Sequence, residues 1–441
     1  MGITVIHSVL LFDGTCVHEA ATVIFDSDNG KITSVFTGKS DVPLGAAVID
    51  GTGYTLLPGL IESHMHCDGI ILPPGIENID GLQMSLKCGI TTCCDLHSDP
   101  DVVKELREAI AVETAKARSL GGMVSTSDLK SALHAATIED GYPKSYLLGE
   151  SPSEELKRKI GRWPNVTLAN AAEYIKTTKA KGADYIKIFQ ENCCSFAAKT
   201  GSLPSATLEL QVALTKAAHA ENLLVVAHAN NAESTRMVLQ AGADGLAHTF
   251  VDQSPPQELI DLYKATKAFT IPTLTALATL TGAEQSRRER FADVVQQKNL
   301  AAELIHQEMR KSVSWNAPEA KFEYAVQAVT KLKEEGLDIM AGTDSMVGLA
   351  GVAIGPSLWM ELEMYVDLCG MSVVDALRTA TAVPAKRFGL TDRGEVVPGK
   401  RADLVLVKGN VTERLQNLWE GDGVVRVWRE GLEAAHFIKN R

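Results

Sequence analysis

The feature that most limits how this chain can fold is a repeated alternation in its middle, where short β-branched runs are separated by longer stretches of helical period. The runs fall at 56–62, 91–96, 122–127, 184–189, 224–229, 245–250, 269–274 and 338–343, and between them 102–117, 207–220 and 232–240 carry apolar residues at helical spacing. Strands joined through a helix run parallel, and parallel strands covered on both faces are nearly continuous apolar runs. Alternation alone admits either a doubly wound open sheet or a closed barrel. Polar placement separates them: His64, His66, Lys187, His228, His248 and Asp344 fall near the carboxyl ends of predicted strands, where a barrel gathers its site. The expected fold is α/β, a (β/α)8 TIM barrel over residues 56–385.

The two ends of the chain read differently. Residues 1–55 hold short strand-like runs at 4–11, 20–25, 31–37 and 46–50, with turns at Asp13-Gly14 and Asp28-Asn29-Gly30. Residues 386–441 repeat the pattern at 402–408 and 424–430. Neither end has helical periodicity long enough to bury a core alone, so the two are expected to meet as one small β-sandwich domain with the middle inserted between them. Within the middle, 130–170 reads as an excursion covering one side of the site, and 280–335 as charged helical text.

Composition removes several classes. Hydrophobic residues at 45% and charged residues at 22% exclude a largely disordered chain. A net charge of -12 argues against nucleic acid or an anionic membrane as partner, because phosphate surfaces call for clustered Lys and Arg. The opening MGITVIHSVLLFDG lacks a basic segment and an uninterrupted apolar stretch, so no secretory leader is expected. No apolar run reaches the roughly 18 residues of a membrane span. Eight cysteines, four of them in the adjacent pairs Cys93-Cys94 and Cys193-Cys194 and none in a CxxC, suit buried thiols in a cytoplasmic protein.

In His64-Met65-His66 two imidazoles sit two residues apart on extended chain and project to the same side, so both reach one cation. With His228, His248 and Asp344 they make five ligand candidates, more than one open tetrahedral site needs. A two-metal site needs a bridge, and Lys187 interrupts the apolar run Tyr185-Ile186-Lys187-Ile188-Phe189, where an unpaired ammonium is costly to bury. Carbamylation converts that nitrogen into a carboxylate-bearing group with an oxygen for each ion.

The segment from Leu56 to His66 resembles the opening barrel strand of the metal-dependent amidohydrolase superfamily. Asp184 through Phe189 is similar to the lysine-bearing fourth strand of its binuclear members. Ala227-His228-Ala229 resembles the fifth strand, Gly245 to His248 the sixth and Ala341 to Asp344 the eighth; Pro398 to Val405 resembles the return to the small β domain. The resemblance implies two divalent ions, zinc-like: His64 and His66 hold the more buried one with Asp344, carbamylated Lys187 bridges, and His228 with His248 holds the second. It implies attack of a metal-bridging hydroxide on a carbonyl, with Asp344 taking the nucleophile's proton and passing it to the leaving nitrogen.

Mononuclear deaminases of the superfamily lack the fourth-strand lysine and carry a glutamate where this chain has Asn231, and phosphotriesterase-like members usually lack the flanking β segments. The resemblance is therefore to the binuclear prolidase-like and ochratoxin amidase-like branch. It implies hydrolysis of an amide bond in a dipeptide, an N-acyl amino acid or a related small-molecule amide, ochratoxin-like compounds included, by a homo-oligomer. A mononuclear cyclic amidohydrolase or deaminase of imidazolonepropionase type, and a catalytically silent ligand-binding barrel, stay as alternatives. Tyr142, Arg162, Asn192 and Asn230 are candidate substrate contacts, Ser345 and Met346 candidate rim residues, and His97 and His134 candidates to enter the pocket. His219 is expected to pack or face solvent, and Cys67 to point away from His66.

Overall fold

The computed structural model describes residues 2–38, 42–70, 72–196 and 202–435. Five strands open the chain: β1 (Ile3–Phe12), β2 (Val17–Asp26), β3 (Lys31–Thr37), β4 (Ala47–Asp50) and β5 (Tyr54–Pro58). Eight follow in the middle: β6 (Leu60–His66), β7 (Ile90–Asp95), β8 (Asp128–Ser131), β9 (Ile186–Phe189), β10 (Val225–His228), β11 (Gly245–Ala247), β12 (Phe269–Ile271) and β13 (Ser345–Met346). Three close it: β14 (Leu404–Lys408), β15 (Val424–Arg429) and β16 (Leu432–Glu433).

The chain ends meet in one eight-stranded mixed sheet, ordered β16-β15-β14-β5-β1-β2-β3 with β4 on β1. The junction is the antiparallel pair β14 and β5, in which Leu404 faces Pro58 and Val407 faces Thr55. Alternating apolar residues bury one face of this sheet around Ile6, Val9, Phe25, Leu56, Leu404 and Trp428, with the rings of Phe25 and Trp428 edge to face at 5.6 Å.

The middle forms two four-stranded sheets, β13-β6-β7-β8 and β12-β11-β10-β9, all of whose pairs are parallel. Single parallel bridges join the two at both seams, Ala136 to Ile188 and Thr270 to Ile339. Helices Pro100–Leu120, Leu208–Ala220, Ala232–Gln240 and Gln257–Thr266 connect successive strands. Their starts are fixed locally: the Thr207 side chain accepts the Leu210 N–H and the Asn231 side chain accepts the Ser234 N–H. Tyr185, Val226, Ala247, Phe269 and Met340, from β10, β11, β12 and the segments leading into β9 and β13, pack in one layer with Phe388. Tyr185 and Val226 stand two residues before Lys187 and His228 on the same strand face, so this layer floors the site above it.

Three predicted strands differ from the observed ones, each for a visible reason. The run 56–62 is two strands that change sheets at Gly59, whose N–H bonds Asp403 while the Leu60 N–H bonds Gly89. A Cβ at Gly59 would stand 2.1 Å from Thr91 Oγ1, so the crossing needs glycine. The run 122–127 is not a body strand; the Glu113 carboxylate binds the N–H and hydroxyl groups of Ser125 and Thr126, and β8 starts at Asp128. Over 338–343 only Ile339 makes a ladder bridge, because the Thr343 N–H, 3.0 Å from Glu62 Oε1, is directed to that carboxylate and to the His64 carbonyl. Among the described residues no helix is long and apolar enough to cross a membrane.

Candidate active site

The carboxyl ends of the body strands open into a cavity of about 160 Å³ that all six sequence-predicted residues line. His64 and His66 both leave β6 toward Asp344, and their Nε2 atoms lie 3.0 Å and 2.9 Å from its Oδ1. One ligand atom from each of these three residues falls within 4.8 Å of the others, a spacing one cation can span. His66 Nδ1 is 2.9 Å from the His97 carbonyl, so Nδ1 donates there and Nε2 is the nitrogen directed to the centre. His248 Nδ1 is 2.7 Å from the Thr273 hydroxyl. Such outer partners fix the tautomer of a metal-binding imidazole.

The second pair continues the cluster. The His248 ring lies 5.0 Å from His64 and 4.6 Å from His228. His248 and Asp344 adopt φ of 75° and 55°; non-glycine residues enter this left-handed region at a cost of about 1–3 kcal/mol, which collects at functional sites. Here it lets both side chains turn inward from the ends of their strands.

Burial sets the electrostatics. Removal from water drives His64 down to about 3, with the neighbouring Lys187 charge adding to the effect. At His66 burial also opposes the charged form, but the Asp344 carboxylate outweighs it and the net shift is upward. Burial alone would raise Asp344; the charges of His64 and His248 and the hydrogen bonds of His64 and His66 hold it well below the usual carboxylate range. Lys187 is 1% exposed, its Nζ has no hydrogen-bond partner among the described residues, and burial lowers it to about 7 despite Asp344 and Asp95. A buried amine half neutral near pH 7 is reactive toward CO2, and the donor set around it suits divalent ions with imidazole and carboxylate ligands.

Several groups were not singled out from the sequence. Glu191 is fully buried at the end of β9, with Oε2 3.5 Å from His228 Nε2; its Oε1 accepts the Cys193 N–H at 2.7 Å and faces the Asn231 amide at 3.4 Å. The Asn230 amide nitrogen is 3.1 Å from the same His228 Nε2. A proton on Nε2 suits Glu191 and leaves Nδ1 free for a cation; a proton on Nδ1 suits the Asn230 donor. Glu62 stitches β6 to the eighth-strand segment: Oε1 accepts the N–H groups of His64 and Thr343, and Oε2 meets the Thr343 hydroxyl, all at 3.0 Å. Burial raises it to about 8. Glu361 likewise accepts the N–H groups of Leu274 and Thr275 at 2.8 Å, next to the Thr273 that holds His248.

The weaker candidates divide. Tyr142, Asn230, His97 and Met346 line the cavity, whereas Arg162, Asn192, His134 and Ser345 do not. Arg162 is 2.9 Å from Asp99, and the Ser345 hydroxyl pairs with Thr343 at 2.7 Å. His219 is paired with Asp244 on the surface, and Cys67 is buried against Ser98. The excursion expected over 130–170 does cover the site, through Tyr142, Tyr146, Lys159 and Trp163.

The amidohydrolase family model matches residues 55–433. The chain is 32% identical over 101 residues to an imidazolonepropionase of Deinococcus deserti, a match covering 23% of this chain and 25% of that protein. Among solved structures it is similar to a Xaa-Pro dipeptidase with bound methionine, at TM-score 0.73 and 23% identity over 98% of this chain and 99% of that one. It is also similar to the ochratoxinase of A. niger, at TM-score 0.70 and 17% identity over 98% and 96%. Likeness at these identities is a likeness of fold, TIM-barrel-like α/β with a further domain.

Proposed function

The chain belongs to the amidohydrolase family, and on that premise we propose that it is a metal-dependent hydrolase that cleaves the amide bond of a dipeptide, an N-acyl amino acid or a related small amide. The observation that carries this reading is one constellation: two β6 imidazoles converge on a single Asp344 oxygen, beside the unpartnered buried amine of Lys187 and the His228–His248 pair. The Xaa-Pro dipeptidase and ochratoxinase neighbours agree with amide hydrolysis.

In this reading His64, His66 and Asp344 would hold one divalent ion, His228 and His248 a second, and Lys187, if carbamylated on Nζ, would supply carboxylate oxygens to them. Two zinc-like ions bound there supply a polarised carbonyl and an activated water. The chain's own groups do the rest. Asp344 is ionised throughout the neutral range and is the base that receives a proton during attack and returns it to the departing nitrogen. The His97 carbonyl and the Thr273 hydroxyl hold the rings of His66 and His248 in place. Tyr142, packed 4.8 Å from the His228 ring, shields the substrate carbonyl from bulk water.

We read the two parallel sheets as one (β/α)8 barrel, supported by the bridges at both seams. All eight cysteines are free thiols, which agrees with a cytoplasmic home. A mononuclear cyclic amidohydrolase has two observations in its favour, the compact His64, His66 and Asp344 triad and the local likeness to an imidazolonepropionase, and counting ions in active protein separates the two. The function itself is tested by incubating zinc-loaded protein with Xaa-Pro dipeptides, N-acyl amino acids and aryl amides. Release of amine from at least one class, abolished by a chelator and restored by zinc, is expected; no turnover of any of them by fully metallated protein refutes it.

A further inference from the structure

The wall of the cavity carries information that the metal-binding cluster does not. A continuous line of rings leads from the His228 imidazole outward. Tyr142 lies 4.8 Å from His228, Phe196 stacks on Tyr142 at 6.3 Å, Tyr146 follows at 5.9 Å, and Trp315 ends the line 5.7 Å from Tyr146. Trp315 is 49% exposed and lines the cavity, so its ring is accessible to a bound molecule. These rings come from two excursions, 130–170 and 280–335, and from the loop after β9, three separate segments converging on one wall.

The charges along the cavity point the same way. Among the described lining residues the cations outside the histidines are Lys187, deep in the site, and Lys159. Lys159 Nζ is occupied by Asp68 Oδ1 at 2.6 Å and by the Gly69 carbonyl. Asp99, also lining, is held by Arg162. A substrate carboxylate passing this wall therefore meets apolar rings and acidic groups whose cations are engaged, whereas an uncharged ring meets a row of π faces.

We propose that the pocket selects an uncharged amide bearing an aryl group beside the scissile bond, the aryl ring lying along Tyr142, Phe196, Tyr146 and Trp315. This rests on the hydrolase reading above and narrows it, setting carboxylate-bearing dipeptides and N-acyl amino acids below neutral aryl amides. The reaction is R–CO–NH–Ar plus water giving R–COOH and Ar–NH2: the water oxygen bonds the carbonyl carbon, the C–N bond breaks, and one water proton goes to the leaving nitrogen.

The test separates recognition from chemistry by using ketones in which CH2 replaces the amide NH. Calorimetry on zinc-loaded protein compares benzyl ethyl ketone, its para-carboxylate and ethyl pentyl ketone, while propionanilide and N-butylpropanamide are assayed for hydrolysis. Benzyl ethyl ketone is expected to bind about 5-fold or more tightly than either comparator, the size of one added aromatic pair. The pentyl ketone controls for general hydrophobicity. Trp315→Ala, at an exposed position, should shrink that advantage, and Tyr146→Ala should do the same. Equal binding of the three ketones, tighter binding of the carboxylate, or an aryl advantage untouched by both variants overturns the proposal. If the ketones rank as expected but neither amide is cleaved, aryl selection stands, and the hydrolase reading falls when the dipeptides, N-acyl amino acids and other aryl amides are not turned over either.

Discussion

Lys187→Met should relieve the fold of a buried charge. The side chain is buried, without a hydrogen-bond partner among the described residues, and lowered from 10.5 to about 7 by desolvation. At about 1.4 kcal/mol per pH unit, holding the ammonium in the fold costs on the order of 5 kcal/mol. The unfolded chain keeps this proton up to its ordinary value, whereas the folded chain releases it near 7. Between those limits the unfolded state binds more protons, so Lys187 makes stability rise with pH; below 7 the full penalty is felt and above 10.5 it is gone. Methionine has similar length, no charge and no titration. In metal-free protein kept free of CO2, Lys187→Met should therefore exceed the parent in stability by on the order of 4 kcal/mol more at about pH 6 than at about pH 10. Urea unfolding of both proteins in parallel across that range measures the difference, with other titrating groups common to the two. A difference that stays constant with pH, or a variant less stable at pH 6, refutes the claim that the fold bears an unsatisfied amine at this place.

Glu62→Gln preserves the acceptor for His64 and Thr343 and offers a donor to the Thr343 hydroxyl. Because burial raises Glu62 from 4.5 to about 8, the folded state holds a proton the unfolded state has lost, and parent stability falls as pH rises through that window. The variant should gain roughly 3 kcal/mol on the parent between pH 5 and 8, read from parallel urea melts. Asp344→Asn should keep its circular dichroism yet lose about 100-fold or more in amide turnover with zinc restored; unchanged turnover removes Asp344 from proton transfer. Glu191→Ala should weaken one bound ion about 10- to 100-fold in a chelator competition and leave the other in place, and equal affinity for both ions would show that Glu191 does not position His228.

Much of the candidate site, in the sense of which residues come to line one cavity, was legible because its signals are local. A histidine at the end of an apolar run, as at 228 and 248, announces itself within five residues, and the helical period over 232–240 matches the observed helix, which the Asn231 side chain caps. What escaped depends on pairings between segments far apart in sequence. Glu191 looks like an ordinary loop acid until the His228 ring stands beside it. Glu62 is one of many glutamates until the Thr343 N–H, 281 positions away, is seen on its carboxylate. The run 122–127 has the β-branched and small residues of a strand, yet Glu113 satisfies donors that a neighbouring strand would have taken. Gly59 reads as part of one strand, and only its approach to Thr91 shows why the chain changes sheets there.

A two-ion site built around Lys187 fixes how much metal the active protein must carry. The most direct measurement is the ratio of metal to chain in fully active protein, determined by mass spectrometric metal analysis for the parent and for Lys187→Met. The account predicts two ions per active parent chain and a loss of occupancy in the variant. One ion per fully active chain, with the variant holding metal as the parent does, would contradict it.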